Sequence, residues 1–139
     1  MAFELSIVTP EGVRFQEPVD HVVLPGAEGA FGVLTGHVRF LAPLGIGEAA
    51  VTTKGKTLFA ALSDGFAEVT QDHVTVMVDT CEFAEDIDLA RAQRARADAE
   101  AALAAAKSAA HESELFARQE AALKRAILRI KLATDAGRH

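Results

Sequence analysis

The chain has no tryptophan and no tyrosine, one cysteine, and four prolines that are all spent by Pro43. A single thiol, Cys81, closes no internal disulfide and builds no structural zinc site, a usage that fits a reducing compartment. No uncharged apolar run approaches the ~20 residues a membrane helix needs, so any membrane role is expected to be peripheral. The opening residues MAFELSIVTPEG place no basic stretch ahead of an apolar one, and no secretory signal is expected there. Glycine is missing too, from Gly65 all the way to Gly137. Alanine fills the gap, supplying 18 of the 53 residues from Ile87 to His139.

Glycine and proline punctuate turns, whereas alanine is the strongest helix former. The chain therefore reads as two parts in series, a β module over 1–86 and a helical arm over 87–139. At 139 residues, half of them apolar, it can hold one small cored domain plus an appendage. The net charge of -6 is split between them. The first part carries thirteen acids against four bases (Arg14, Arg39, Lys54, Lys56), the second seven acids against ten bases. An acidic body and a basic arm are built to meet different surfaces. Nucleic acid is not among them, because the basic arm has one aromatic, Phe116, and so almost no stacking platform.

The first part alternates short β-prone runs with turns. Phe3–Val8 ends at Thr9-Pro10-Glu11-Gly12, Val13–Gln16 at Pro18-Val19-Asp20, and His21–Leu24 at Pro25-Gly26. Glu48–Thr52 and Thr57–Leu62 flank Lys54-Gly55-Lys56, a hairpin signal, and Phe66–Thr70 and Val74–Val78 flank Gln71-Asp72-His73. Strands this short, with turns every 8–12 residues and no helical period between, argue an all-β sandwich or barrel.

The charged seam Glu85-Asp86-Ile87-Asp88 then starts a helix, with Asp86 as N-cap and Asp88 in the first turn. This helix is expected over 87–109, a turn at His111-Glu112-Ser113, and a second helix over 113–133. The second places Leu115, Gln119, Leu123, Ile127 and Ile130 at steps of four and three, one amphipathic face. A short link makes the two helices antiparallel neighbours. The first helix offers Ala95, Ala99, Ala102 and Ala106 to the seam. Each buried methyl contributes only ~0.8 kcal/mol, against ~1.5–3 for a buried Leu or Ile. Such a hairpin is a thin zipper that opens for a few kcal/mol, within reach of a ligand or partner.

Catalytic inventories come up short. The histidines at 21, 37, 73, 111 and 139 are scattered, with no HxH or HxxxH pair, so no metal site is expected. The acids Glu82, Glu85, Asp86 and Asp88 read as helix-mouth solvation. Cys81 reads as a buried strand-end residue and Ser63-Asp64 as turn chemistry. The segment Glu28–His37 has three glycines but no GK[ST] and no following helix, so it is no phosphate loop; it reads as a tightly turned rim, a place where rigid sandwiches carry contacts.

Three motifs then fall in one order: Glu28-Gly29-x-x-Gly32-x-Leu34-x-Gly36-His37, Gly65-Phe66-x-Glu68-Val69 with Val74-Thr75-Val76, and Ile87-Asp88-x-x-Arg91-Ala92. Together they resemble the epsilon subunit family of bacterial F-type ATP synthases, whose mitochondrial counterpart is called delta. The likeness runs from Phe3 to about Leu132. It departs at Thr35 and Arg39, where prolines are usual, at Ala30, where some members have an acid, and at Asp64, where a second glycine is common.

The resemblance implies a ten-stranded β-sandwich followed by an antiparallel two-helix hairpin, in a non-catalytic rotor subunit that couples the gamma shaft to the c-ring. Glu28, Gly29, Phe31, Gly32, Gly36 and His37 would form the rotor interface. The hairpin would be a mobile arm that inhibits ATP hydrolysis in many bacterial members when it extends towards the alpha/beta catalytic hexamer. Arg118, Arg125 and Arg129, with Lys124 and Lys131, would meet that hexamer; the plain alternative is a solvated helix face. No cofactor is required. ATP is implied as a weak regulatory ligand at Glu82, Asp88, Arg91, Arg125 and Arg129, although Asp98 stands where ATP-binding relatives carry a base. The membrane is reached only through the complex, at the cytoplasmic face of the bacterial inner membrane, peripheral, in the F1 sector. A second reading stays open: a stand-alone nucleotide or small-ligand sensor with a sandwich as scaffold.

Overall fold

A computed structural model of the chain describes residues 2–33, 39–108 and 113–136. It divides into two compact units, Met1–Phe83 and Ala84–His139. The first unit has ten strands: β1 (Phe3–Thr9), β2 (Gly12–Val19), β3 (His21–Gly26), β4 (Gly29–Val33), β5 (Phe40–Leu44), β6 (Gly47–Thr53), β7 (Lys56–Leu62), β8 (Gly65–Val69), β9 (His73–Val78) and β10 (Cys81–Phe83). Their pairing runs β10-β7-β6-β3-β5-β8-β9-β1-β2, with β4 on the remaining side of β3. All pairs are antiparallel except β1 with β9.

The long ladder folds over into a sandwich. The β2-β1-β9-β8-β5 layer meets the β10-β7-β6-β3-β4 layer in register only at Gly26 opposite Leu44. Alternate residues of each strand face inwards, where Leu5, Ile7 and Val76 from one layer and Val22, Leu24 and Leu62 from the other lie buried. Each such side chain contributes roughly 1.5–3 kcal/mol.

Local chemistry sets the turns. Between β6 and β7, Lys54 and Gly55 both take positive φ, 52° and 77°. That is the hairpin turn whose twist matches the strands it joins. Gly65 is required by close approach: a Cβ there would run into the backbone carbonyl of Met77 and come within 2.9 Å of Val78 Cα.

Three features of the strands differ from expectation. Gly29–Val33 and Phe40–Leu44 are strands, so much of the supposed rim is a β-hairpin. Pro18 does not end β2, since that strand runs on to Val19. β2 is the last strand of its layer, where a missing N–H is tolerated. β3 likewise continues through Pro25 to Gly26.

The second unit opens with a 3-10 turn, Ala84–Asp86, then α1 (Leu89–Ser108) and α2 (Ser113–Ala136). The cap is Asp88 rather than Asp86: Arg91 N–H donates to Asp88 Oδ1 at 3.1 Å, and Ala92 N–H to the Asp88 carbonyl at 3.0 Å. Asp86 belongs to the preceding turn. The two helices pack along each other. Ala92, Ala99, Ala126 and Leu132 are buried, whereas Ala95, Leu115 and Ile127 are exposed. On α1 the expected Ala99 is buried and Ala102 half-buried while Ala95 is not; on α2 the buried Ala126 and Leu132 lie off the expected face, whose Leu115 and Ile127 are exposed. The expected His111-Glu112 turn lies outside the described residues.

Candidate functional site

The outer face of the β2-β1-β9-β8-β5 layer carries a cross-strand row of apolar side chains. Pro43 stands opposite Phe66, Phe66 opposite Met77, Met77 opposite Val8, and Val8 opposite Val13. Strand parity points Pro43, Phe66, Met77 and Val8 away from the core, and the β2 bulge brings Val13 to the same face. Val13 is 59% exposed, Phe66 51% and Met77 44%, and Leu41 beside the row is 62% exposed. At strand spacing the row spans about 19 Å. The adjacent row is largely polar: Glu68, Thr75, Ser6 and Gln16 follow Leu41. An apolar band with a polar border is the layout of a protein-docking surface.

The band lies near one end of the sandwich, and the turns at that end are acidic. Glu11 joins β1 to β2, Glu28 joins β3 to β4, Asp64 joins β7 to β8, and Asp79 joins β9 to β10. Lys54 and Lys56 sit at the opposite end, on the β6–β7 hairpin. A partner that covers the band and reaches this end meets apolar surface first and then carboxylates, which favours a basic margin.

Of the expected rotor-interface residues, Gly29, Phe31 and Gly32 lie on β4 and Glu28 in the turn before it. Glu28 and Gly29 are exposed at the acidic end, with Gly29 at φ 137°, a conformation suited to glycine. Phe31 is half-buried and meets Phe40 edge-on at 5.9 Å between ring centroids. Gly32 is exposed, and a Cβ on it would approach His21 Nε2 to 2.9 Å. Gly36 and His37 lie outside the described residues.

Of the expected nucleotide-binding residues, Glu82 is on β10 in the first unit and the other four are in the second. Asp88 is committed to the cap through one carboxylate oxygen. Arg91 is exposed in the first turn of α1; Arg125 and Arg129 are half-buried, one turn apart on α2. In an antiparallel hairpin joined between Ser108 and Ser113, Arg129 comes level with Arg91–Ala92. Arg91, Arg94, Arg96, Arg125 and Arg129 thus fall in the same half of the hairpin.

One constellation was missed in the sequence. Ser6 Oγ lies 3.3 Å from His73 Nε2, and Glu4 Oε2 lies 3.7 Å from His73 Nδ1. This is the order of a nucleophile relay. Yet β1 is paired on both sides, by β2 and β9, so the backbone N–H groups around Ser6 belong to the ladder. None is left to stabilise an oxyanion. Cys81 is buried, and its thiol pKa is raised from 9.0 to about 11, by burial first, with Arg14 pulling it down and Glu82 pushing it up. It is a packing residue, not a thiolate. Among the described residues no group of three His, Cys, Asp or Glu side chains is placed to hold a metal ion. No helix among them is long and apolar enough to cross a membrane.

Residues 2–84 match the model of the ATP synthase delta/epsilon chain β-sandwich domain, and residues 85–134 that of its long α-helix domain. The ATP synthase epsilon chain of Nitratidesulfovibrio vulgaris is 44% identical over 135 residues, covering 97% of this chain and 98% of the relative. That of Geobacter sulfurreducens is 42% identical over 135 residues, covering 97% and 96%. Among solved structures, a chain of the Euglena gracilis mitochondrial ATP synthase (OSCP/F1/c-ring, rotational state 1) is 25% identical. It aligns with a TM-score of 0.75 over 99% of this chain and 82% of that one. A chain of the Tetrahymena thermophila mitochondrial ATP synthase central stalk and c-ring, 12% identical, shares the fold with a TM-score of 0.53 over 60% and 68%.

Proposed function

The chain belongs to the ATP synthase delta/epsilon family, and from that membership we propose that its sandwich is the clamp between the gamma shaft and the c-ring. It is a non-catalytic rotor subunit of an F1Fo ATP synthase. The single observation that carries the clamp is the exposed row Pro43–Phe66–Met77–Val8–Val13, an apolar docking band on a rigid sheet. Gamma covers this band. The acidic end, with Glu28 and Gly29, faces the rotor foot where shaft and ring meet.

The helical unit is the regulatory arm. Its buried seam is mostly alanine, so few methyl groups hold the helices together, and the basic residues of α2 are the side it offers to the alpha/beta hexamer when extended. ATP is a weak regulatory ligand of this unit, held by Arg91, Arg125 and Arg129 at the open end of the hairpin. The subunit works at the cytoplasmic face of the bacterial inner membrane, which it reaches only through the complex.

Affinity purification of the tagged full chain from its own cells tests this reading. Gamma and the catalytic hexamer should co-purify with it in a fixed ratio. A chain recovered free of both is a stand-alone sensor, and the clamp is wrong.

A further inference from the structure

Among the described residues the two layers of the first unit end in four edge strands, β2 and β5, β10 and β4, and three are blunted; β5 carries Pro43. β2 carries a bulge opposite Ile7 and Val8 and a proline at 18. β10 is three residues long. Bulges, prolines and short strands are the ordinary defences of an edge against foreign strands. β4, Gly29-Ala30-Phe31-Gly32-Val33, has none of them: no charge, no proline, no bulge.

The backbone directions on β4 follow from its neighbour. On β3 the odd-numbered residue Pro25 accepts from Gly45 N–H at 2.8 Å, and Ala27 N–H beyond it donates to the Pro43 carbonyl at 3.0 Å. Odd positions therefore face β5 and β6. The even positions Val22, Leu24 and Gly26 face β4, opposite Val33, Phe31 and Gly29. Alternation then turns the N–H and C=O groups of Ala30 and Gly32 to the outer edge. Both residues are exposed, and among the described residues no further strand pairs with β4.

The geometry points to β4 as a strand-acceptor edge: an extended segment of the shaft subunit pairs there through Ala30 and Gly32. This rests on the clamp reading above and names how the partner is held. Two residues offer too short a ladder to sustain a dimer of this chain alone, so the incoming strand belongs to a partner already docked nearby. Glu28, exposed at the start of the strand, favours a basic residue level with it. Ala30 leaves room for its side chains, whereas His21 already lies over Gly32.

Hydrogen exchange read by mass spectrometry on the full chain, free and within the purified ATP synthase, decides the matter. Ala30 and Gly32 amides should exchange freely in the isolated chain and slow at least 100-fold in the complex. Phe31 and Val33 should be protected in both. Ala30→Pro removes one outward N–H and should weaken reassociation with the complex about 10-fold, with Phe31 and Val33 still protected. If the chain sits in the complex while Ala30 and Gly32 exchange as fast as in the free form, the strand pairing is overturned and the clamp stands. If the chain is absent from the complex, both fall.

Discussion

Ser63 and Thr80 tie two neighbouring turns of the sandwich together. Thr80 N–H donates to Ser63 Oγ at 2.8 Å, and Ser63 N–H donates to the Thr80 carbonyl at 3.1 Å. Ser63 is buried, so its hydroxyl is a structural acceptor and not a reactive group. Replacing it with alanine removes one acceptor and leaves the Thr80 amide without its partner. Ser63→Ala should cost about 1 kcal/mol in urea unfolding of the full chain, with association to the complex unchanged. A loss of association at unchanged stability would give Ser63 a role in docking instead.

Asp88 opens α1, and its carboxylate satisfies an amide that the helix leaves unpaired. Asp88→Ala should cost about 1 kcal/mol and speed exchange of the amides over 89–92, while Asp88→Asn should keep most of the cap. The same pair of variants separates capping from nucleotide binding. In equilibrium dialysis with ATP, Arg125→Ala and Arg129→Ala should weaken retention more than Asp88→Asn does. No retention by the unaltered chain at millimolar ATP eliminates the ligand.

The docking band makes a surface prediction of opposite character. Phe66 and Met77 are solvent-facing, so Phe66→Ser and Met77→Ser should leave the unfolding midpoint of the isolated chain nearly unchanged. Each should weaken association with the shaft roughly 10-fold or more, as truncation at an interface centre does. Thr57→Ser, on an outward position of the other layer, is the control. Equal effects at both faces would show that the band is not the contact.

Cys81 supplies the pH dependence. Its thiol is raised in the folded chain from 9.0 to about 11 by burial. An acid whose folded pKa is raised favours folding while it is neutral. That contribution is complete below pH 9 and is lost as pH rises from 9 towards 11. Chemical denaturation of the chain should therefore show stability falling over this window, with a shallower fall in Cys81→Ala. At pH 8 alkylation of native Cys81 should run about 100-fold slower than that of an unfolded thiol. Fast alkylation of the folded chain contradicts the burial argument.

How much of this could be read from residues alone depends on what competes locally. Lys54-Gly55 announces its hairpin because the two positive-φ positions suit few residue types. The runs around Val74 and Leu5 announce strands by β-branched density. β4 is hidden, since Gly29 and Gly32 look like loop residues until β3 is there to pair with them. β5 is hidden by Pro43. The docking band was legible only in part: Phe66 and Met77 are visible as large side chains on polar-side parity, but only the register shows that Pro43, Val8 and Val13 join them. Asp86 and Asp88 compete for one cap, and hydrogen-bond geometry decides for Asp88. On α2 step counting favours the stripe with Leu115 and Ile127, whereas packing buries Ala126 and Leu132; on α1 the expected Ala99 is buried.

The two units also differ in where their stability comes from. The hydrophobic core of the sandwich, from Phe3 through Leu62 and Val76 to Cys81, with Phe31, Phe40, Leu58 and Phe83 packed against it, contains no residue of α1 or α2. Its last strand, β10, closes on β7 through Cys81 opposite Leu62. A chain ending at Glu85 keeps every one of these residues. It should therefore unfold in one cooperative transition, with a midpoint close to that of the sandwich in the full chain, and still join gamma and the c-ring in a reconstituted enzyme. The helical unit should behave differently when isolated, because a seam of Ala92, Ala99 and Ala126 with one fully buried leucine, Leu132, removes little apolar surface. Residues 84–139 alone should be mostly unfolded at 25 °C by circular dichroism. ATPase assays of the enzyme with and without residues 87–139 then isolate the arm: a rise in hydrolysis on its removal, with synthesis retained, makes it the brake. A truncated chain that fails to fold would mean that the sandwich needs its arm, contrary to the core as it stands.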